Sequence, residues 1–294
     1  MIQKNSVKSY LKLLRTEQYI KNLFVFAPVF FGGKLLLQTA FLNALIAFAC
    51  FCLAASAIYI INDYFDIEED RKHPVKCFRP LAAGTIGKQT ALLLMAVCAI
   101  TSLSVSFWLS KQLFVILAIY IIMNLLYSKW LKHITVVDVN IIAIGFLLRV
   151  IAGAVATAVE PSVWILLITY LLALFLGFAK RRADVLLSMD GKEVRRNIDG
   201  YNLNFIDTIL SILAAVIIVS YIFYTISPEV QEHYNSKFLY VSIIFVVNGL
   251  LYYMKLTLVD KVSSSPTQII LRNRTVQLTV LCYAAIMVYL LYIK

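Results

Sequence analysis

The sequence predicts an all-α polytopic membrane protein, a bundle of about nine transmembrane helices with a polar site facing the cytoplasm. Three observations carry this reading. Of the 294 residues, 61% are hydrophobic and only 15% charged, and the mean hydropathy is +0.83. Apolar runs of roughly 20 residues, enough at about 1.5 Å of rise each to cross a bilayer, recur from residue 20 onward. Lysines and arginines gather at alternate ends of those runs. No hydrophilic stretch is long enough to bury a core of its own, so a single domain over residues 1–294 is expected.

Taken in order, the chain starts with "MIQKNSVKSYLKLLR", which mixes basic and apolar residues without the apolar core and small-residue cleavage site of a secretory signal. It reads as an interfacial helix, with Val7, Leu11 and Leu14 on one face and Lys4, Lys8 and Lys12 turned to water or anionic lipid. Spans follow near residues 20–37, 40–61, 89–109, 112–128, 136–158, 162–179, 205–226, 237–256 and 275–293. Pro28 and the Gly32-Gly33 pair should kink or end the first. With the N-terminus inside, 22 of the 27 basic residues fall on the cytoplasmic side, and only Lys34, Lys111, Lys237, Lys294 and the intramembrane Arg149 do not. A multi-pass protein of the cell membrane with a cytoplasmic N-terminus is expected. The five cysteines show no metal-ligand rhythm, and four lie in apolar runs as small hydrophobes.

"NDYFDIEEDRKHPVKCFRP", residues 62 to 80, is a charged island placed directly after the second span. On a continuing helix, Asp63, Asp66 and Asp70 are three and then four residues apart and share a face, with Asn62 at its edge. Three carboxylates so close repel one another, and a divalent cation removes that cost. Mg²⁺ suits the site, because it takes hard oxygen ligands and bridges one or two carboxylates to a substrate's phosphates. Glu68 and Glu69 point elsewhere and should be solvated. Pairing of the acids with Arg71, Lys72 and Lys76 alone is the simpler alternative.

The second polar island, "KRRADVLLSMDGKEVRRNIDGYN", residues 180 to 202, mixes six basic residues with Asp184, Asp190, Glu193 and Asp199. In this topology it faces the first island across the cytoplasmic mouth. Cations interspersed with carboxylates suit a phosphate-rich ligand with a metal, although an ordinary solvated loop would also carry them. Arg149 lies eleven residues past Asp138 in the fifth span, about 16 Å deeper at helical rise. A charge at that depth belongs in the bundle interior, as the wall of a polar pocket or in a structural ion pair.

"NDYFDIEEDRKHPVKCFRPLAAG" resembles the first aspartate-rich motif, NDxxDxxxD followed by RPL and small residues, of the UbiA superfamily of intramembrane prenyltransferases. "RTEQYIKN", "HPVKCFRPLAAG", "GFLLRVIAGAVA", "LFLGFAKRRADVL" and "SSSPTQIILRNR" are similar to its decaprenyl-phosphate phosphoribosyltransferase branch. The resemblance implies a nine-helix bundle with an Mg²⁺-dependent, cytoplasm-facing site where a diphosphate leaves and a lipid reacts. Prenylating members carry a second DxxxD motif. Here Asp184 and Asp190 are six apart, and Asp190 and Glu193 three, so the pattern is missing. That favours a donor whose second end needs cations, such as the 5-phosphate of phosphoribosyl diphosphate.

The expected function is therefore transfer of a 5-phosphoribosyl group from phosphoribosyl diphosphate to a polyprenyl phosphate. Asp63, Asp66 and Asp70 are the expected Mg²⁺ ligands and catalytic residues. The candidate substrate-binding set is Lys21, Asn22, Asn62, Arg79, Arg149, Lys180, Arg181, Arg182, Asp184 and Tyr201. No nucleic-acid partner is expected. An aromatic or quinone-forming prenyltransferase using a prenyl diphosphate is the first alternative. A transporter gated by the charged islands is the second, but it would show discontinuous paired spans or internal repeats.

Overall fold

The computed structural model describes residues 6–73, 75–189, 200–260 and 266–293. Lys4, Asp190, Lys192, Glu193, Arg195, Arg196, Asp199, Lys261 and Lys294 lie outside the described residues. Among the described residues all regular structure is helical, and eight helices are long and apolar enough to cross a membrane. The protein is multi-pass.

The chain groups into two compact units, Met1–Leu131 with Leu148–Glu160, and Lys132–Leu147 with Pro161–Lys294. In the first, α1 (Val7–Leu14) is capped by the Ser6 hydroxyl and ends at Arg15 in the left-handed region. The face it turns inward is Ser9 and Leu13, with Tyr10 and Leu14 beside them, and Leu13 packs with Ile60, Ile67, Leu81 and Ile86. Val7 and Leu11 are exposed together with Lys8 and Lys12, so only part of the expected apolar face is free for lipid.

Residues 20–37 are not one apolar helix. Thr16–Phe26 is 3₁₀-helical, α2 (Ala27–Phe31) has Pro28 in its first turn, and Gly33 at φ +67° turns the chain. Pro28 supplies no amide proton, and the glycines end the short helix that it starts, so the expected break lies here. The next elements are α3 (Gln38–Phe65), α4 (Ile67–Lys72), α5 (Lys88–Leu109) and α6 (Lys111–Lys129). Val25, Phe51, Leu113, Leu117 and Ala152 form a fully buried core.

Helix α7 (Val137–Thr157) gives its first half to the second unit and its second half to the first. Gly153 is packed so closely on the Val25 carbonyl that a Cβ would overlap it. The second unit continues with α8 (Val163–Met189), α9 (Leu203–Ile226) and α10 (Pro228–His233). It closes with α11 (Ile243–Met254), α12 (Pro266–Arg272) and α13 (Arg274–Val288). π-Helical turns, Lys255–Val259 and Tyr289–Ile293, extend α11 and α13. Its core is built on Val139, Phe175, Ile206, Leu210 and Ile217.

Helix α8 is the main departure from the expected spans. It runs ten residues past 179, because Ala, Arg, Leu and Met are good helix formers whether or not lipid surrounds them. Lys180, Arg181, Arg182 and Asp184 are thus helical residues rather than loop residues.

Candidate active site

In the first unit, α3 ends at Phe65 and α4 begins at Ile67, with Asp66 between them at φ −90°, ψ 7°. Asp66 serves both helices: its N–H closes α3 on the Asn62 carbonyl at 3.0 Å, and its carbonyl accepts the first bond of α4 from Asp70 N–H at 2.8 Å. Asp63 and Asp70 are both 2% exposed, whereas Glu68 and Glu69 are exposed and Glu68 pairs with Arg71 at 2.9 Å. Asn62 and Asp66 are half-buried beside them.

Arg79 joins the two buried acids. Its Nη1 donates to Asp63 Oδ1 at 3.2 Å and to Asp70 Oδ2 at 2.7 Å. The RPLAAG segment fixes its aim: the Pro80 carbonyl accepts from Thr85 N–H and Oγ1, Gly84 sits at φ +67°, and Leu81 and Ile86 are buried in the core. Arg15, the first residue of the RTEQYIKN stretch but not one of the expected site residues, donates from Nη2 to Asp63 Oδ1. Its guanidinium lies 4.8 Å from the centre of the Tyr59 ring, one helical turn before Asp63.

Nearer the start of α3, in the same unit, lies a second polar cluster. Buried Asn22 donates to Cys52 Sγ at 3.2 Å and accepts from Arg149 Nε at 2.8 Å. Arg149, 6% exposed, also donates to the Tyr120 hydroxyl at 2.8 Å and lies over the Tyr120 and Phe51 rings. Lys21 is half-buried within electrostatic reach of Arg149 and Arg15. Arg149 is therefore the interior residue expected of a deep charge, held by an amide and two aromatic faces.

In the second unit, neighbouring arginines of α8 point to different partners. Arg181, 3% exposed, pairs with Asp138 at 2.7 Å and Asp184 at 2.6 Å. Arg182 donates to both Asp207 oxygens, at 2.6 and 3.3 Å, and to the Thr257 carbonyl in the π-helical turn at 2.5 Å. Tyr201 donates to Asp138 Oδ1 at 2.6 Å and accepts from Val136 N–H at 2.7 Å. Val136 holds a positive φ of 70°, an unusual conformation for a β-branched residue that aims its N–H at that hydroxyl. Burial and the bond to Asp138 raise the Tyr201 phenol above its ordinary range. Lys180 is half-buried. Asp138 and Asp207 are thus site-building residues that the island-by-island reading passed over, and a lone acid at the start of an apolar run was their signal.

Among the described residues no three His, Cys, Asp or Glu side chains meet at metal-binding distance. Asp63 and Asp70 do converge on one cation, Arg79, and two buried hard-oxygen ligands completed by phosphate oxygens form a donor set that Mg²⁺ accepts.

The UbiA prenyltransferase family model matches residues 25–257. The chain belongs to the UbiA prenyltransferase family. A relative from Mycobacterium tuberculosis named decaprenyl-phosphate phosphoribosyltransferase is 32% identical over 286 residues, covering 96% of this chain and 93% of its own. A relative of the same name from Mycolicibacterium smegmatis is 38% identical over 223 residues, 74% of this chain and 70% of that one. Among solved structures, a UbiA homologue from Archaeoglobus fulgidus bound to GPP and Mg²⁺ superimposes with a TM-score of 0.69 at 20% identity, covering 96% of this chain and 99% of that one. A structure of a UbiA homologue from the same organism bound to Cd²⁺ gives a TM-score of 0.67 at 19% identity, over 95% of this chain and 99% of that one. These structural likenesses establish the UbiA fold for this chain.

Proposed function

We propose that this UbiA-family transferase moves a 5-phosphoribosyl group from phosphoribosyl diphosphate to a polyprenyl phosphate, with diphosphate as the leaving group. The observation that carries the proposal is the 32% identity, over 96% of the chain, to a protein named for that reaction. The missing second DxxxD motif supports the same choice of donor. The protein acts as one domain in the cell membrane, with its N-terminus and polar islands cytoplasmic, as the lysine and arginine distribution supports.

In this mechanism Asp63 and Asp70, with Asp66 at the helix joint, would hold Mg²⁺. The metal would neutralise charge on the departing diphosphate. Arg79 and Arg15 orient its oxygens through charge-assisted hydrogen bonds. The acceptor phosphate is already ionised at neutral pH. One of its oxygens forms the new bond to the anomeric carbon as the bond from that carbon to diphosphate breaks, and no general base is required. Rate enhancement comes from positioning and charge stabilisation. Asn22, Asn62, Lys21 and Arg149 provide polar surface in the first unit. In the second, Lys180 is a candidate phosphate ligand, and Arg181, Arg182, Asp184 and Tyr201 hold the end of α8 in place.

The purified protein is to be given labelled polyprenyl phosphate with either phosphoribosyl diphosphate or, alongside an aromatic acid acceptor, a prenyl diphosphate. Mg²⁺-dependent formation of a phosphoribosylated lipid is expected. Prenylation of the aromatic acid with no use of phosphoribosyl diphosphate would overturn the reading.

A further inference from the structure

Asp63 is held by two guanidiniums. Its Oδ1 accepts from both Arg15 and Arg79. A carboxylate oxygen offers two lone-pair directions, so both on this atom are taken. Arg79 continues to Asp70 Oδ2 at 2.7 Å, and the side chains of Asp63 and Asp70 are each 3% exposed. Two guanidiniums, each about a quarter exposed, thus cover two buried carboxylates.

That pairing sets a condition on any cation arriving there. A divalent ion that takes Asp63 Oδ1 must displace a guanidinium, and one that joins the two acids by their other oxygens still lies close to two positive charges. The arginines need another acceptor before they leave. A diphosphate meets that need, since its oxygens accept paired guanidinium bonds and its charge offsets the incoming metal. Arg15 is well placed for the exchange: its backbone is fixed in the left-handed region at the end of α1, while its head rests on the Tyr59 ring.

We propose that Arg15 and Arg79 are exchangeable counter-ions of Asp63 and Asp70, passing from carboxylate to diphosphate oxygens as a divalent cation takes the carboxylates, so that the site admits cation and diphosphate as a pair. Arg15 thereby becomes a phosphate-positioning residue of the reaction. The proposal rests on Asp63 and Asp70 being the metal-binding carboxylates, and it holds for any diphosphate ester.

The exchange has a signature of opposite signs. An arginine that competes with the metal and then binds phosphate should, when removed, strengthen binding of the metal alone and weaken binding of the metal–diphosphate pair. Mn²⁺ standing in for Mg²⁺ is titrated into the full-length protein in detergent, with free ion counted by electron paramagnetic resonance. Labelled inorganic diphosphate is measured by equilibrium dialysis in saturating Mg²⁺. Arg15→Ala and Arg79→Ala are expected to bind Mn²⁺ alone about fivefold more tightly than wild type and Mg²⁺-diphosphate about tenfold more weakly. Arg15→Ala, which gives up the contact to Asp63 alone of the two acids, decides the matter if Arg79→Ala fails to fold. Unchanged or weaker Mn²⁺ binding by Arg15→Ala overturns the exchange. Mn²⁺ binding unaffected by Asp63→Asn overturns the carboxylate assignment beneath it. Neither outcome bears on which donor is used, which the two-donor assay decides separately.

Discussion

Arg182 and Arg181 are adjacent in sequence, and their positions in a cationic island invite the same phosphate-binding role, but the geometry gives Arg182 structural work. Its side chain is 6% exposed and its donors reach the two Asp207 oxygens and the Thr257 carbonyl. Arg182→Ala leaves that carbonyl without its guanidinium, at about 1 to 3 kcal/mol for a buried acceptor. Losing the pair with Asp207 adds about 1 kcal/mol, well below the figure for a fully buried pair, because the Asp207 side chain is 36% exposed and water reaches it. The sum is about 2 to 4 kcal/mol, or a fall of about 5 to 15 °C in Tm on the scale of larger soluble domains. Thermal unfolding of the detergent-solubilised protein reads this directly. Kinetics of the surviving folded fraction should show similar KM values for both substrates. The double variant Arg182→Ala with Asp207→Asn should cost less than the sum of the two single changes, since each removes the same pair. A normal Tm with a tenfold higher KM for phosphoribosyl diphosphate alone would refute the reasoning and restore Arg182 as a donor ligand.

Four other outcomes are expected. Gly153→Ala should sharply lower the yield of folded protein, because its Cβ would overlap the Val25 carbonyl, whereas Gly249→Ala, whose Cβ would meet only Thr279 Cγ2 at 3.4 Å, should be nearly silent in the same thermal assay. Asp63→Asn, Asp66→Asn and Asp70→Asn should each cut turnover roughly 100-fold or more while the protein still folds; near-normal turnover of all three in saturating Mg²⁺ would remove the metal assignment. Tyr201→Phe keeps the ring packing with Phe178 and Phe205 but loses a phenol whose folded pKa is raised, foremost by burial. The wild-type contribution is complete below the unfolded value near 10 and is lost as pH rises from there toward the folded value, so stability of the variant should fall less steeply in alkaline titration, by up to one proton. Finally, a single cysteine placed at Lys76, in a background without the native five, should react with an impermeant thiol reagent only from the cytoplasmic side.

The helix architecture was legible because lipid imposes one solvent on a long stretch of chain, and hydropathy reports solvent directly. That same fact explains where the reading stopped short. At residue 180 hydropathy collapses, yet α8 continues to Met189, because a run of strong helix formers does not require lipid. Near residue 20 the reverse holds: the stretch is apolar enough to read as a span, but Pro28 and the glycines break it into 3₁₀ and short α pieces. Hydropathy marks where a chain meets lipid, and propensity marks where it stays helical.

The site divides along a similar line. Asp63, Asp66 and Asp70 were grouped by their spacing on one continuing helix; the helix is interrupted at Asp66, yet Asp63 and Asp70 still converge on Arg79. The partners of those acids come from sequence-distant segments: Arg15 is 48 residues away and Arg79 is 16. Spacing within one helix carries no information about them. What was available is charge accounting: two buried acids require cations, buried Asp138 requires Arg181 in the same way, and half-buried Asp207, also at the start of an apolar run, pairs with Arg182. Followed through, that accounting gives each arginine of the KRR run an acid partner in the second unit, Asp138 and Asp184 for Arg181 and Asp207 for Arg182, as Asp63 and Asp70 have Arg15 and Arg79 in the first.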